Sequence, residues 1–402
     1  MNNIHIIGIG ADGADTLHPR QLDRIYQSSF LAGGERQLSY FPDFKGETFV
    51  IRGNLKELKK RLQDESRTAV VLASGDPLFY GIGAYLSGSV EATIDPQPSS
   101  MQLAFARMNE SWQNAKIISV HGRGITGLAQ KIDGEEKVAL LTDKTNSPDA
   151  IARYLLYFHM TEYDAFVAEN IGAADERCRH FTLEQMAAAS FAPLNVVLLK
   201  KNRAAKSWTT GIPDAEFSQR KPDKGLITKR DIRILTIGRM NIHRSSIVWD
   251  IGTCTGSIAI EAAKIAKDGA VFAIEKNEPD LTNAKANFQK FRTDVTLVHG
   301  KAPDGLDAFP DPDCVFMGGT AGNMDKLIDT CAERLKPGGT IVLNAVTIES
   351  MSKAHQLFKE AGFDVDMALA QVSLSKPILN MTRFEAQNPV YIICATRKEE
   401  QS

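Results

Sequence analysis

A glycine-rich turn near the middle of the chain carries the residue types of a ligand-binding loop. The turn, Gly252-Thr253-Cys254-Thr255-Gly256, follows an apolar run that ends with Asp250 and Ile251. Glycine lets the backbone approach a ligand closely, and the start of a following helix offers free N–H groups. Glu275 stands 23 residues after Gly252. A carboxylate at this spacing can accept hydrogen bonds from both hydroxyls of a ribose, so the turn predicts a nucleoside site.

The spacing alone fits two cofactors, NAD and S-adenosylmethionine. The turn lacks the third glycine of the GxGxxG pattern, which packs against the pyrophosphate of a dinucleotide. Asp250 would repel a pyrophosphate, whereas it can approach the cationic amino-acid tail or the sulfonium of S-adenosylmethionine. We therefore expect S-adenosylmethionine here. A nicotinamide-dependent oxidoreductase, or glycines that serve only as a helix cap, are the alternatives.

A second loop of this kind lies in the N-terminal half. Gly8-Ile9-Gly10 ends the first apolar run, and Ser74-Gly75-Asp76-Pro77-Leu78-Phe79-Tyr80-Gly81 directly follows the apolar run 69–73. Gly75 and Gly81 flank an Asp-Pro turn, which exposes backbone amides and carbonyls at a strand end. Such a loop can hold an adenosine and a methionine tail through the main chain, without a dedicated charge. An ordinary tight turn before a helix is the alternative.

Short apolar strands that alternate with helical segments must position these loops. Continuous apolar runs bounded by glycine are typical of buried parallel strands. The alternation in the C-terminal half predicts a parallel sheet with crossover helices, one of them from Gly256 to Ala266. The pattern predicts strands at 4–9, 69–73, 117–120, 138–141, 165–168, 195–199, 247–251, 270–274, 295–298, 313–317, 340–344 and 390–395.

Composition excludes several classes of protein. The 402 residues predict two to three domains. Lys and Arg number 47 against 49 Asp and Glu, so no basic excess favours a nucleic-acid or membrane partner. The five cysteines form no CxxC or Cys/His cluster, which argues against a disulfide framework and a metal site. No apolar run approaches the roughly 18 residues of a membrane helix, and no secretory signal is evident, so we expect a cytoplasmic enzyme.

A basic stretch separates the two halves. Residues 200–230 contain nine Lys or Arg, three acids and few apolar residues, which is typical of a solvated connector. We therefore predict an N-terminal domain at 1–205, a linker at 206–224 and a C-terminal domain at 225–402.

The C-terminal half resembles a known family. Residues 249–257 resemble the first motif of class I methyltransferases, which have a Rossmann-like fold. Together with residues 225–229, 300–303, 316–319 and 344–347, they are similar to the decarboxylating C15-methyltransferases of cobalamin biosynthesis over residues 212–398. The resemblance implies that Thr228, the loop 252–256, Glu275 and Ala302 line an S-adenosylmethionine pocket. Cys254 replaces the Gly or Ala more usual there, and we interpret it as a small apolar substitute that narrows the loop.

The N-terminal half resembles the tetrapyrrole methylase (class III) fold, and especially the C5-methyltransferases of the cobalamin pathway. The similarity covers residues 2–200 and depends on the loop 74–81 with residues 98–106, 121–123, 141–143 and 169–172. It implies two α/β lobes with S-adenosylmethionine between them. The residues implied to touch this cofactor are Gly8, Gly10, Gly75, Asp76, Phe79, Ser99 and Ser100. The family's Gly-Pro-Gly after the first motif is Ala11-Asp12-Gly13 here.

The order of the halves resembles the fused C5,15-methyltransferases of corrin-ring biosynthesis. It implies that two S-adenosylmethionine molecules methylate C5 and C15 of precorrin-6Y, or of a cobalt-precorrin equivalent. It also implies loss of the carboxyl group from the C12 acetate, giving precorrin-8X. A methyltransferase for another tetrapyrrole is the alternative. Related methylases imply a homo-oligomer.

The implied acceptor carries many carboxylates, so cations should line the rim of its site. Arg123, Lys229 and Arg230 lie beside the motif segments and are our substrate-binding candidates, although each could be a solvated surface charge. No Ser/His/Asp set, acid pair or metal-ligand cluster identifies a catalytic residue. Little acid–base chemistry is required, because an electron-rich carbon attacks a methyl group already activated by positive sulfur.

Overall fold

The computed structural model describes residues 3–220, 227–319 and 322–397. Contacts within the chain divide it into two compact units. The first unit comprises Met1–Gly124, Glu135–Arg153 and Glu162–Ala204, and the second comprises Ile125–Gly134, Tyr154–Thr161 and Ala205–Ser402. The second unit therefore includes two short segments of the N-terminal half. Within the described residues, no helix combines the length and the apolar character needed to cross a membrane.

The strands and helices of the N-terminal half alternate over most of its length. The strands are β1 (Ile4–Ile9), β2 (Phe30–Gly33), β3 (Glu47–Val50), β4 (Ala69–Ser74), β5 (Thr93–Asp95), β6 (Lys116–Ser119), β7 (Lys137–Leu141), β8 (Tyr163–Glu169), β9 (Arg177–Thr182) and β10 (Asn195–Lys201). The helices are α1 (Pro19–Gln27), α2 (Glu35–Ser39), α3 (Leu55–Gln63), α4 (Ile82–Leu86), α5 (Ser100–Met108), α6 (Leu128–Ile132), α7 (Pro148–Tyr157) and α8 (Leu183–Ala187).

The first unit contains two five-stranded sheets. The first has the order β3-β2-β4-β1-β5, and all its neighbouring strands are parallel. Ile6 and Ile7 of β1 pack into separate apolar clusters, because successive side chains of a strand point to opposite faces. The second sheet has the order β6-β7-β10-β8-β9, in which β6 and β7 are parallel and the other pairs antiparallel. The predicted runs 4–9, 69–73, 138–141, 165–168 and 195–199 thus form inner strands of these sheets, whereas the run 117–120 forms the edge strand β6.

The C-terminal half begins with a helix and then builds one large sheet. Its strands are β11 (Ile247–Ile251), β12 (Ala270–Glu275), β13 (Val295–His299), β14 (Cys314–Met317), β15 (Thr340–Ala345), β16 (Asp364–Ala370), β17 (Ser373–Ile378), β18 (Met381–Ala386) and β19 (Val390–Thr396). Its helices are α9 (Arg230–Arg239), α10 (Ser257–Ile265), α11 (Glu278–Lys290), α12 (Met324–Arg334) and α13 (Ile348–Glu360).

The large sheet has the order β13-β12-β11-β14-β15-β19-β16. Strands β11 to β15 pair in parallel, as predicted. The prediction of a parallel strand at 390–395 is wrong, because β19 is antiparallel to both β15 and β16. Strand β16 lies two places away from β15 in the sheet, so one strand position remains between them. The chain returns through the exposed hairpin β17–β18 rather than a crossover helix, and therefore fills that position in the opposite direction.

The stretch that the sequence predicts to be a solvated connector is packed against the second unit. We call residues 205–220 the strap. Ile212 and Phe217 of the strap are buried, and the ring centroid of Phe217 lies 4.7 Å from that of Phe291. Its charges are paired as well, since Arg220 lies 3.2 Å from the carboxylate of Asp280. Residues 221–226, which include the end of the predicted linker, lie outside the described residues.

Candidate functional site

The turn 252–256 connects β11 to α10 at the carboxyl edge of the large sheet. The backbone N–H groups of Gly252 and Thr253 both donate to the carbonyl of Ile274, at 2.9 and 3.2 Å. Gly252 and Gly256 have left-handed backbone, with φ of +74° and +77°. A Cβ at Gly256 would lie 2.5 Å from a ring carbon of Phe288, so this position requires glycine.

Glu275 ends the neighbouring strand β12 and holds the turn from the side. One carboxylate oxygen accepts from the backbone N–H of Cys254 at 3.0 Å. The other accepts from the backbone N–H groups of Lys276 and Asn277, both at 2.9 Å. Three backbone donors therefore fix a buried carboxylate beside the glycine-rich turn, which is the placement that the sequence spacing predicts.

A cavity opens where this carboxylate meets the turn. It is lined by four of the predicted residues, Gly252, Cys254, Glu275 and Ala302. The remaining lining residues are Ile251, Ile274, Lys276, Asn277, Asp280, Gly300, Lys301, Gly318 and Gly319. A concave site with backbone amides, one fixed carboxylate and apolar walls can bind a nucleoside and orient it.

Sequence reasoning did not assign the nine remaining lining residues to the site, and three of them are the polar Lys276, Asn277 and Asp280. They follow Glu275 at the start of α11, where the turn from strand to helix folds them back towards the cavity. Their position could have indicated this, because they follow Glu275 closely, in the region after the carboxyl end of a parallel strand, where ligands bind in such sheets.

The structure does not bring Asp250, Thr253, Thr255 or Gly256 to the cavity wall. Asp250 is 1% exposed and lies behind the turn. Its carboxylate accepts from the hydroxyl of Thr253 at 2.5 Å and from the backbone N–H of Ala259 at 3.0 Å. Burial raises the pKa of Asp250 to about 7, and the nearby charge of Glu275 adds to this effect. The contacts of Asp250 thus hold the turn and the first turn of α10.

Cys254 lines the cavity with an unreactive thiol. Burial raises the pKa of this thiol to about 12, and the carboxylates of Asp280 and Glu275 contribute to the shift. Its backbone has φ of +50°, in the region that favours glycine. These features agree with the interpretation of Cys254 as a small apolar residue in a position where the backbone would suit glycine.

Thr228, Lys229 and Arg230 precede or begin α9, and none of them lines the cavity. The carbonyl of Thr228 accepts from the guanidinium of Arg233 at 2.6 Å. Arg233 is fully buried and also pairs with Glu261 at 2.7 Å. Arg230 is exposed, 3.8 Å from the carboxylate of Asp231. The backbone at Thr228 is thus held by the buried Arg233–Glu261 ion pair. The roles of Lys229 and Arg230 stay predictions.

The N-terminal loop lies at the carboxyl edge of the parallel sheet of the first unit. The backbone N–H of Gly75 donates to the carbonyl of Ile9 at 3.0 Å. A Cβ at Gly8 would lie 2.1 Å from the carbonyl oxygen of Gly75 and 2.8 Å from the backbone nitrogen of Gln97. Gly75 has φ of +62° and faces the backbone of Ser99. The structure thus brings Gly8, Gly75 and Ser99 together through close backbone approach.

The side chains of this loop mainly hold its own backbone. A carboxylate oxygen of Asp76 accepts from the backbone N–H of Leu78 at 2.8 Å. Ser99 is buried and caps α5 through a reciprocal pair of bonds with Gln102, while Ser100 is the first helical residue. Phe79 packs against the apolar cluster around α5.

The two remaining N-terminal candidates lie apart from this backbone contact. The backbone N–H of Gly10 donates to the hydroxyl of Thr16 at 3.0 Å. Arg123 is exposed, and its carbonyl accepts from the side-chain amide of Asn146 at 2.8 Å. Backbone N–H groups of Asn146 and Gly122 lower the pKa of Asp143 and tie the loop of Arg123 to the next one.

Sequence models of two families match the chain. One describes tetrapyrrole (corrin/porphyrin) methylases and matches residues 3–187, and the other describes a precorrin methyltransferase domain and matches residues 221–397. A relative from Sinorhizobium sp., a precorrin-6Y C(5,15)-methyltransferase [decarboxylating], is 30% identical over 395 residues, which are 96% of this chain and 94% of the relative.

Two shorter proteins match about half of the chain each. A "Probable cobalt-precorrin-6B C(15)-methyltransferase (decarboxylating)" from Pyrobaculum calidifontis is 35% identical over 191 residues, which are 46% of this chain and 96% of that protein. A crystal structure of precorrin-6Y C5,15-methyltransferase from Geobacter metallireducens is 40% identical, with a TM-score of 0.45. It covers 47% of this chain and 98% of the solved one.

Proposed function

We propose, because the chain belongs to the precorrin-6Y C(5,15)-methyltransferase (decarboxylating) family, that each of its two domains binds its own S-adenosylmethionine. The family confirms the predicted α/β fold, with a tetrapyrrole methylase domain followed by a second methyltransferase domain. It also confirms the predicted activity: the chain is an S-adenosylmethionine-dependent C-methyltransferase of cobalamin biosynthesis that decarboxylates its substrate. The number of cofactor sites, their residues and the division of labour are proposals.

The observation that carries the proposal is the contact between Glu275 and the turn 252–256. Its carboxylate is fixed at the cavity by three backbone donors, where it can accept from ribose hydroxyls. Gly252, Cys254 and Ala302 line the same cavity. A carboxylate at this place can bind the ribose of either cofactor, and the membership of the family favours S-adenosylmethionine.

The N-terminal site is supported by its close backbone approach. Gly8, Gly75 and Ser99 meet where any Cβ at Gly8 would clash with main-chain atoms. Asp76 and Phe79 follow Gly75 in the same loop, and Gly10 follows β1 at the same edge of the sheet. We propose that this loop holds the second cofactor, with Ser100 at the start of α5 beside it.

We propose that the N-terminal domain (1–205) methylates C5, and that the C-terminal domain (225–402) methylates C15 and removes the C12 acetate carboxyl, with 206–224 as linker. The proposed substrate is precorrin-6Y or its cobalt-containing equivalent, and the product is precorrin-8X. The exposed Arg123 and Arg230 and the half-buried Lys229 are proposed to bind carboxylates of the macrocycle.

In the proposed reaction, the chain orients the substrate and the cofactor and excludes water from the site. When bound, S-adenosylmethionine supplies a methyl group activated by positive sulfur. The electron-rich meso carbon would provide the electron pair of the new C–C bond, with the thioether as leaving group after the S–CH3 bond breaks, and would then release its proton. Alignment by the fixed turn would contribute most of the acceleration. Loss of CO2 leaves its electron pair on the conjugated macrocycle, which then takes up a proton. The chain itself needs no nucleophile for either step.

We also propose that the protein is a cytoplasmic homo-oligomer. The hairpin β17–β18 supports an oligomer, because it exposes Leu379, Met381 and Phe384, which are 92, 67 and 75% accessible. Contiguous exposed apolar side chains of this size favour association with another surface.

Mass spectrometry of the reaction tests the proposal. Purified chain is incubated with S-adenosylmethionine and either precorrin-6Y or its cobalt form. We expect a gain of two methyl groups and a loss of one CO2 with one of these substrates. A product with one methyl group, or with its carboxyl group retained, would contradict the two-domain assignment. Thermal-shift titrations with S-adenosylhomocysteine and with NADH provide the control, and stabilisation by NADH alone would favour the oxidoreductase alternative.

A further inference from the structure

Asn287 of α11 is a buried amide with both of its donors in use. The side chain is 0% exposed. Its oxygen accepts from the backbone N–H of Ser218 at 2.8 Å, and its nitrogen donates to the carbonyl of Ser218 at 2.9 Å. The second donor reaches the carbonyl of Thr255 at 2.8 Å. One side chain therefore joins the strap to the glycine-rich turn.

The hydrogen bond from Asn287 to Thr255 acts on the part of the turn whose backbone conformation is most constrained. The next residue, Gly256, has left-handed backbone and lies against the ring of Phe288, the neighbour of Asn287. On the other side, the backbone N–H of Cys254 is bound by Glu275. The turn is thus held between Glu275 at the cavity and α11 behind it, so the peptide planes of residues 254–256 are fixed from both sides.

A second contact of the same helix reaches the cavity wall. Asp280 lines the cavity, is 2% exposed and lies 3.2 Å from Arg220 of the strap. Helix α11 therefore connects the strap with two parts of the site, through Asp280 at its first turn and Asn287 at its last. Burying an amide is costly unless its hydrogen bonds are made. An apolar side chain in place of Asn287 could fill this position, but it would not make the hydrogen bond to the carbonyl of Thr255.

We propose that Asn287 is a positioning residue for cofactor binding in the C-terminal domain. By fixing the carbonyl of Thr255, it keeps the N–H of Cys254 on Glu275 and the turn in its binding shape. This inference rests on the proposed function of that turn as an S-adenosylmethionine site.

The test is Asn287→Asp in the full-length chain, titrated with S-adenosylhomocysteine in a calorimeter at pH 8 and pH 6. At pH 8 the carboxylate retains the acceptor for the N–H of Ser218 but loses both donors, to the carbonyls of Ser218 and Thr255. We expect the Kd of one of two binding transitions to rise about tenfold, the usual worth of one hydrogen bond, and the other to stay unchanged. At pH 6, protonation of the buried acid restores one of the two donors and removes the buried charge, so the ratio of variant to wild-type Kd should be smaller than at pH 8.

Two features keep this test specific. The other charged groups around the turn are present in both the variant and the wild type, so their titration cancels in the ratio of the two Kd values. These groups are Asp250, Glu275, Asp280 and Arg220. Asn283→Asp, one turn earlier on α11, is the matched control and should leave both transitions unchanged.

The outcomes separate the inference from the proposed function. Wild-type protein that binds fewer than two S-adenosylhomocysteine molecules refutes the two-site proposal. If the wild type binds two, three results each overturn the role of Asn287. They are an unchanged Kd in Asn287→Asp, a loss of both transitions together, and a loss that pH 6 does not reduce.

Discussion

The two candidate cofactor sites occupy equivalent places, the carboxyl edges of parallel strands, but they are built differently. The N-terminal loop meets its surroundings through main chain, with Gly8 packed against the carbonyl of Gly75. The C-terminal turn is organised by carboxylates, with Glu275 at the cavity and Asp250 behind the turn. The first site therefore depends on the absence of side-chain volume, and the second depends on charge and its hydrogen bonds. Substitutions of volume and of charge should affect the sites separately.

The largest effect is expected from the buried charge. The pKa of Asp250 is raised from 3.8 to about 7, so the folded chain binds this proton more tightly than the unfolded chain does. The contribution to stability is therefore lost as the pH rises from about 4 to about 7. Asn at this position stays neutral and keeps an acceptor for Ala259. Asp250→Asn should raise the free energy of unfolding at pH 8 by on the order of 3 kcal/mol.

Thermal and urea unfolding between pH 4 and 8 measure this difference. The difference between the two chains should shrink towards pH 4, where Asp250 is protonated in the folded wild type and begins to take up its proton in the unfolded chain as well. A constant difference across the whole range would show that Asp250 is not the titrating group.

The next effect is steric and should appear at the N-terminal site. In Gly8→Ala the new methyl group would overlap the carbonyl oxygen of Gly75 and the backbone nitrogen of Gln97, which cannot move cheaply. We expect S-adenosylhomocysteine affinity at this site to fall roughly 100-fold, with the C-terminal transition unchanged. Gly238→Ala is the control, because a Cβ there meets no atom within 4 Å. If Gly8→Ala binds S-adenosylhomocysteine as tightly as the wild type does, the N-terminal site does not depend on the absence of side-chain volume, and the contrast between the two sites is wrong.

The matching change of charge is Glu275→Gln. The amide keeps the size of the side chain, but only its oxygen can accept, so its nitrogen would face either the N–H of Cys254 or those of Lys276 and Asn277. Because bonds to charged groups are the stronger ones, we expect affinity at the C-terminal site to fall about 30-fold. C5 methylation should continue, as mass spectrometry of the product can verify. Glu278→Gln, at an exposed position of α11, is the control. Equal losses at both sites would argue against separate cofactors.

The smallest effect concerns the left-handed backbone that both sites contain. The N-terminal loop has glycine there, at Gly75, whereas the C-terminal turn has Cys254 with φ of +50°. A β-branched side chain tolerates this conformation poorly, so Cys254→Val should lower the free energy of unfolding by about 1 kcal/mol. Thermal unfolding would detect the change, and Cys254→Gly should show no such loss. Equal stability of the Val and Gly variants would mean that the turn relaxes.

Most of the central strands were predictable from sequence, and so was the position of Glu275 beside the glycine-rich turn. Apolar runs bounded by glycine identify β1, β4 and β11, since a strand buried on both faces is apolar throughout. Spacing alone predicts that Glu275 reaches the turn. The reason is that the carboxyl ends of adjacent parallel strands meet at one edge of the sheet.

Other features depend on tertiary contacts that local pattern does not record. Ile212 and Phe217 are isolated apolar residues in a basic stretch, so no periodicity indicates that the strap is buried. The approach of Asp280 and Asn287 to the turn requires the packing angle of α11, and the direction of β19 requires knowledge of the hairpin before it. The burial of Asp250 likewise follows from the surrounding fold rather than from its neighbours in sequence.

The strap sets where a working C-terminal fragment could begin. The family match starts at residue 221, after the strap has ended. A protein excised at that point would lose Gly211 and Ile212, whose N–H groups bind the buried Glu261, and would uncover the ring of Phe291. The boundary drawn by sequence similarity is therefore not the boundary of the folded body, and excision ahead of residue 205 would retain what the later cut removes.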